Sequence, residues 1–361
     1  MARPTPQSLA ALLRLSSLPA VDACAATHAE LVARLSSQVE LCDALVGDGE
    51  RRGAPLSALK TLQGLHRGVL RDLGAIAPLV GAEAKLELAH RELMRAESRH
   101  ALTLTSVVDV LSEASCGPGA LGALEAVARQ HVGAALLLRH HLASHAAHLE
   151  NLPSARRGAA GPSDEVGAIH AALPVADSVR DAAREVELLA DSAAVKAGVA
   201  VPTVELAGDL DAAATAPPHH VGQILMELLK NAFRATLEGP EPTAPVRVDI
   251  RSRDGGVEVA VKDSGAGVAG GSAAFADLAR FRAGRRWNRV DEQTSYAAVP
   301  DPLHGIGVGL PVATFHAAHF EGNALLLTCG EETVATLALG GDAARLERLP
   351  DTAAALQNLL S

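Results

Sequence analysis

Aromatic side chains are nearly missing from this chain of 361 residues, where five Phe, one Tyr and one Trp make up only 2%. Stacked rings therefore cannot build its core, which must come from Leu, Val, Ala and Ile, with alanine, the strongest helix former, dominant. Long apolar runs are missing too. No stretch reaches the roughly 18 residues that a bilayer-crossing helix needs, so membrane insertion is not expected. The chain has no basic cluster and a formal net charge of −10, which argues against nucleic acid as a partner. Cysteine is sparse: Cys24, Cys42, Cys116 and Cys329 show no Cys-x-x-Cys spacing. That spacing excludes a metal knuckle and predicts reduced, mostly buried thiols in an intracellular compartment.

The length suits two domains, each with its own core. Residues 1–152 read as helical, with apolar periodicity over Leu31–Leu45, Leu56–Leu73, Ala82–Ser115 and Ala120–Leu149. Gly47-Asp48-Gly49 and Gly117-Pro118-Gly119 read as breaks between helices. Four long helices joined by short turns predict a bundle. Residues 153–168 are expected to be a linker, since Asn151 to Pro162 has linker composition. From residue 169 to 342 the two periods mix. Val175–Val195 reads as a helix and Val201–Leu206 as a strand, while Pro245–Arg253 and Val257–Val261 alternate around Asp254-Gly255-Gly256 as a hairpin. Ala324–Cys329 and Thr333–Leu339 make a further strand pair, and the whole order predicts a sheet with helices on one face. Residues 343–361 remain as a tail.

Chemistry concentrates in the second half. Glu227, Lys230, Asn231 and Arg234 stand at i, i+3, i+4 and i+7, one narrow stripe of a helix. Ile224, Leu225, Leu228, Leu229, Ala232 and Ala235 cover the opposite side, with Met226 and Phe233 at the flanks. The carboxylate and amide can hold a divalent cation and a hydroxyl, and the two cations can neutralise phosphate oxygens. A solvated face is the plain alternative for such a stripe. Downstream, Asp263-Ser-Gly265-Ala-Gly267 leaves the alternating run Val257–Lys262, where glycine lets backbone approach a planar base or a phosphate. His304-Gly305-Ile-Gly307-Val-Gly309-Leu-Pro311 then opens a helix-like stretch, and amides at such a start attract phosphate.

These segments resemble a known family. Glu227 to Thr236 is similar to the N box of the mitochondrial 2-oxoacid dehydrogenase kinases, the pyruvate and branched-chain members of the GHKL ATPase group. Asp263-x-Gly265-x-Gly267 resembles their first glycine box, His304 to Pro311 their second, and Glu321 to Thr333 the segment after it. The likeness runs from about Thr5 to about Leu339. It implies an α + α/β fold, an amino-terminal four-helix bundle followed by a GHKL-type α/β sandwich ATPase domain. It also implies an ATP-dependent protein serine/threonine kinase, with Mg²⁺, that phosphorylates and inactivates the E1α subunit of a pyruvate or branched-chain complex. Docking on a lipoyl domain, homodimerisation and a mitochondrial matrix location belong to the same expectation. A catalytically weak nucleotide-binding scaffold and a histidine-kinase-like sensor are the competing functions.

Position by position, the resemblance makes Glu227 the general base that takes a substrate serine's proton and Asn231 the Mg²⁺ ligand. Asp263 would bind the adenine amino group, with Gly265 and Gly267 alongside and Thr333 closing that end. Gly305, Gly307 and Gly309 would wrap the phosphates, while Lys230 and Arg234 would screen phosphate charge or pair with the lid. The chain also departs from the pattern. Ala101 to Leu104 read as an insertion of one helical turn after His100, itself part of an Arg-His that resembles the family's degenerate H box. Two arginines of the family's oxoacid regulatory pocket align with His131 and Ala135, and a glycine at the adenine site aligns with Glu332. The Asp-Trp of the pyruvate kinases' tail is absent.

Gly270 to Leu303 has no steady period and holds Arg280, Arg282, Arg285, Arg286 and Arg289 beside Trp287; it reads either as an ATP lid or as a solvated basic loop. His141, His145 and His148 share a helix face at a spacing that zinc could use, although satisfied or surface histidines are the commoner outcome. His140 to His145 instead resembles a segment of the branched-chain member. The first 20 residues, with Arg3, Arg14 and no acid before Asp22, faintly resemble a presequence, whereas Thr5 to Leu13 resembles the family's mature amino terminus.

Overall fold

The structure, a computed structural model, describes residues 4–15, 18, 20–77, 85–113, 117–151, 165–166, 168–281, 303, 308–329 and 332–360. In chain order these form α1 (Leu9–Leu15), α2 (Ala20–Arg52), α3 (Ser57–Ile76), α4 (Leu86–Glu113), α5 (Pro118–Asn151), β1 (Glu165–Val166) and β2 (Ile169–Pro174). Then come α6 (Val175–Ala197), β3 (Val204–Gly208), β4 (Ala213–Ala216), α7 (Pro218–Leu237), β5 (Val246–Arg253) and β6 (Gly256–Asp263). The rest are a 3-10 turn (Gly271–Ala274), α8 (Phe275–Leu278), α9 (Gly309–Ala317), β7 (Ala324–Cys329), β8 (Thr333–Leu339) and α10 (Thr352–Leu360). Among the described residues no helix is long and apolar enough to cross a membrane.

The described residues fall into two compact units, one made of residues up to 171 and from 343 onward, the other of residues between 172 and 342. In the first, α2 packs on α3 and α5, and α4 on α3 and α5. Leu31, Leu35, Leu62, Leu73, Leu93, Leu111, Leu124 and Leu138 fill its interior. The expected break at Gly47-Asp48-Gly49 does not occur, because α2 runs through it. Asp48 is buried and takes ion pairs from Arg51 and Arg52 on the next turn, and Leu56 and Leu59 pack against Gly49. The helix stops instead at Gly53, whose φ of +64° lets the Ala54 N–H donate back to the Gly49 carbonyl at 2.9 Å, a Schellman-type end. The second expected break does hold, with Pro118 serving as the first residue of α5.

The tail carries more structure than its composition indicated. α10 packs on α5 and α2, and the segment before it pairs with the amino terminus through a Ser8–Leu346 bridge. The buried Arg34 guanidinium binds Glu347 (Nη1 to Oε1, 3.1 Å) and Glu30 (Nε to Oε1, 2.8 Å), so two carboxylates compensate one desolvated cation. Imidazoles occupy the same interior. His100 stacks on His131 with ring centroids 4.1 Å apart and meets His66 edge-on at 6.5 Å. Thr103 Oγ1 donates to the His100 carbonyl at 2.7 Å, which leaves it to accept from His131 Nδ1. Cys42 lies beside His66 Nδ1, and burial pushes its thiol up to about 12, consistent with an inert core cysteine.

In the second unit a five-stranded sheet runs β3-β5-β6-β8-β7, parallel between β3 and β5 and antiparallel elsewhere. The hairpin forms as its sequence predicts: Asp254 and Gly255 both take positive φ, 48° and 76°, between the paired Arg253 and Gly256. Val246, Val248, Ile250, Val257, Val259, Val261 and Leu337 alternate inward and share a core with α6, α7 and Ala313 and Ala317 of α9. Full burial of each such side chain contributes about 1.5–3 kcal/mol. The strand expected at Val201–Leu206 is displaced to Val204–Gly208, where it matches the register of β5.

Candidate functional site

The site is built on α7. Pro218 starts the helix, and Ile224, Leu225, Leu228, Leu229 and Ala232 are buried against α6, β5 and β6. Phe233, expected at a flank, is fully buried, because i+4 spacing from Leu229 and Leu225 places it in their row. Glu227, Lys230, Asn231 and Arg234 all remain partly exposed, so the polar stripe survives folding. Lys230 Nζ donates to Glu227 Oε1 at 3.1 Å. The sequence carries the signal for that pair, opposite charges three apart on a helix, but the expectation directed Lys230 toward phosphate instead.

Two glycines fix what faces the stripe. Gly309 is the first residue of α9, and a side-chain carbon there would overlap Glu227 Oε2, so backbone approaches the carboxylate as only glycine allows. Gly265 lies against the other part of α7, where a Cβ would come within 2.7 Å of Ala235 Cβ and 2.8 Å of its carbonyl oxygen. Ala235, expected on the side opposite the stripe, stands one turn beyond Asn231 and only about 40° round the helix from it, so the first glycine box borders the Asn231 side.

Asp263 ends β6, and its Oδ1 accepts the Gly265 N–H at 3.0 Å. Thr333 begins β8 directly opposite Asp263 in the ladder, and a Cβ added to Gly267, whose φ is +81°, would come within 3.9 Å of Thr333 Oγ1. Burial raises the Asp263 carboxyl above the ordinary carboxylate range; the Gly265 N–H opposes this, and the nearby Glu332 charge adds to the rise. Thr333 is buried with no hydrogen-bond partner for its Oγ1, and Ser264 Oγ is in the same condition. Buried hydroxyls are normally satisfied, so these two point to a polar ligand at this end. Ser264 stands inside the glycine box, but no spacing or periodicity in the sequence singles it out.

His304, Gly305 and Gly307 lie outside the described residues, as do Arg282, Arg285, Arg286, Trp287 and Arg289. The stretch read as irregular begins with the 3-10 turn and α8; Ser272 Oγ there accepts the Cys329 N–H at 2.9 Å. Arg280 is exposed at its end. His141 is buried, while the side chains of His145 and His148 lie outside the described residues. Among the described residues no group of three His, Cys, Asp or Glu is placed to hold a metal ion. A divalent cation here would take few protein ligands. Mg²⁺ accepts that, keeping water and phosphate oxygens beside one hard protein oxygen such as the Asn231 amide.

No family model matches the chain. Two curated proteins do resemble it. The chain is 26% identical over 171 residues to a mitochondrial [pyruvate dehydrogenase (acetyl-transferring)] kinase of Arabidopsis thaliana, across 46% of either chain. It is also 26% identical over 176 residues to the protein of that name in Drosophila melanogaster, covering 45% of this chain and 40% of the relative. Over these spans the chain is similar to mitochondrial pyruvate dehydrogenase kinases. The matches span less than half the length of these curated kinases. The mixed helix-and-sheet architecture is compatible with the α + α/β fold of such kinases.

Proposed function

We propose that this chain is an ATP-dependent protein serine kinase of the 2-oxoacid dehydrogenase kinase family, acting on the E1α subunit of a mitochondrial complex. The observation that carries the reading is that the two glycine segments border one stripe, Gly309 at Glu227 and Gly265 beyond Asn231. The unpartnered Thr333 and Ser264 hydroxyls next to Asp263 favour a ligand with polar edges, such as adenine. Asp263 would accept from the exocyclic amine through the oxygen not engaged by Gly265, with Gly267 leaving room for the ring. Asn231 would hold Mg²⁺, which when bound neutralises the phosphate oxygens. Arg234, on the same stripe, would screen further charge, and Gly305, Gly307 and Gly309 would cradle the phosphates.

Glu227 would take the proton from a serine hydroxyl as that oxygen bonds to the γ-phosphorus and the bond to the bridging oxygen breaks, releasing ADP. The helices α2 to α5 fit the four-helix bundle that accompanies this domain in the family, and lipoyl-domain docking, a homodimer and a matrix location belong to the same reading. Incubation with purified pyruvate and branched-chain complexes and labelled ATP tests it. Label on an E1α serine with loss of complex activity is expected. Association with either complex without label would replace the kinase by a scaffold.

A further inference from the structure

We infer that Lys230 is a positioning residue for Glu227, not a ligand of the nucleotide's phosphates; the inference rests on the reading of Glu227 as the base. The two side chains stand one turn apart on α7, and the ammonium binds Oε1 at 3.1 Å. They are only 15% and 23% exposed, so little solvent competes for either. The other oxygen, Oε2, occupies the space that a side chain on Gly309 would need. One oxygen is thus held by a cation and the other is walled in by the backbone at the start of α9. A glutamate free to rotate about three bonds would have to be ordered in each catalytic cycle, whereas this one is held before substrate arrives. A carboxylate has lone pairs to spare after one such bond, so accepting from Lys230 does not prevent it from accepting a serine proton.

The charge arithmetic points the same way. A lysine drawn toward phosphate would loosen its hold on Oε1 and leave Glu227 less well compensated beside incoming negative charge. Arg234 lies on the same stripe and has no ion pair of its own to give up among the described contacts, so phosphate screening falls to it. The sequence expectation offered both cations the same two duties, phosphate screening or pairing with the lid; the ion pair with Glu227 separates them.

A double-mutant cycle tests this, using the full chain with Lys230→Met, Lys230→Arg, Glu227→Gln and the Met/Gln double variant. Lys230→Met should lower kcat by about 10- to 100-fold, the cost of a misplaced reacting group, and leave the affinity for a fluorescent ATP analogue unchanged. Lys230→Arg should recover most of the loss, and Lys230→Met should add nothing in the Glu227→Gln background. Unfolding midpoints of all four variants exclude a folding cause. A loss confined to nucleotide affinity, or an equal loss in both backgrounds, would overturn the inference. If the wild-type chain transfers phosphate and Lys230→Met matches it, the inference fails alone; if the wild-type chain transfers none, the base reading fails with it.

Discussion

Glu227→Gln should bind ATP as the parent chain does and lose phosphotransfer by about 10²- to 10⁴-fold, the range that a positioned general base contributes. The amide is nearly the same size, so the packing of Gly309 against Oε2 persists in the variant. It also keeps a carbonyl oxygen for Lys230. What it loses is the capacity to accept a proton at neutral pH. Single-turnover measurement with labelled ATP separates this from slow product release. Transfer equal to that of the parent would remove Glu227 from the chemistry, because nothing else about the site changes.

The helical unit should be acid-sensitive. Burial lowers His66 to about 4, against the hydrogen bond its Nδ1 donates to the Leu62 carbonyl, which raises it. Burial also lowers His100 to about 3, with His66 and Arg139 adding to the fall, and His140 to about 4. When unfolded, each imidazole binds its proton near pH 6.5; when folded, each does so only near pH 3–4. Between those values unfolding takes up protons, so stability falls as pH drops through about 6.5, and the loss is complete only below the folded values. Summed over the three, the expected loss between pH 8 and pH 5 is about 6 kcal/mol, comparable with the whole stability of many domains. Thermal denaturation across this range should show the midpoint falling steeply, and His100→Gln should flatten the dependence by about a third. A midpoint unchanged down to pH 5 would mean that these rings are not buried as neutral groups.

Much of this was legible because the signals were local. The Asp254-Gly255 turn fixes the hairpin through positive φ at both residues, and the pair Ala324–Cys329 with Thr333–Leu339 follows from alternation alone. The polar stripe of α7 is a matter of angular spacing, which holds in any helix. Long-range features were not legible. α2 continues through Gly47 and Gly49 because Leu56 and Leu59 pack against Gly49 and Arg51 and Arg52 pair with Asp48 between the two, and that context is absent from a local window. β4, Ala213–Ala216, has no alternation to read in an alanine-rich stretch. Nothing in the tail foretells that Glu347 meets Arg34 across more than 300 positions, nor does helical period predict that His66, His100 and His131 share one interior. At the site, helical spacing groups Glu227 with Asn231 and the end of the alternating run marks Asp263, but only packing reveals Ser264 and the contact between Gly309 and Glu227.

In the proposed function the carboxylate and amide of α7 and the aspartate ending β6 serve one nucleotide. Titration of a fluorescent ATP analogue into the wild-type chain and Asp263→Ala, with circular dichroism to establish that both are folded, tests it most directly. Saturable wild-type binding weakened by on the order of 100-fold or more in the variant is predicted, since removing the carboxylate leaves the ligand's amino group unpaired. Equal affinity in the two folded chains would contradict the account.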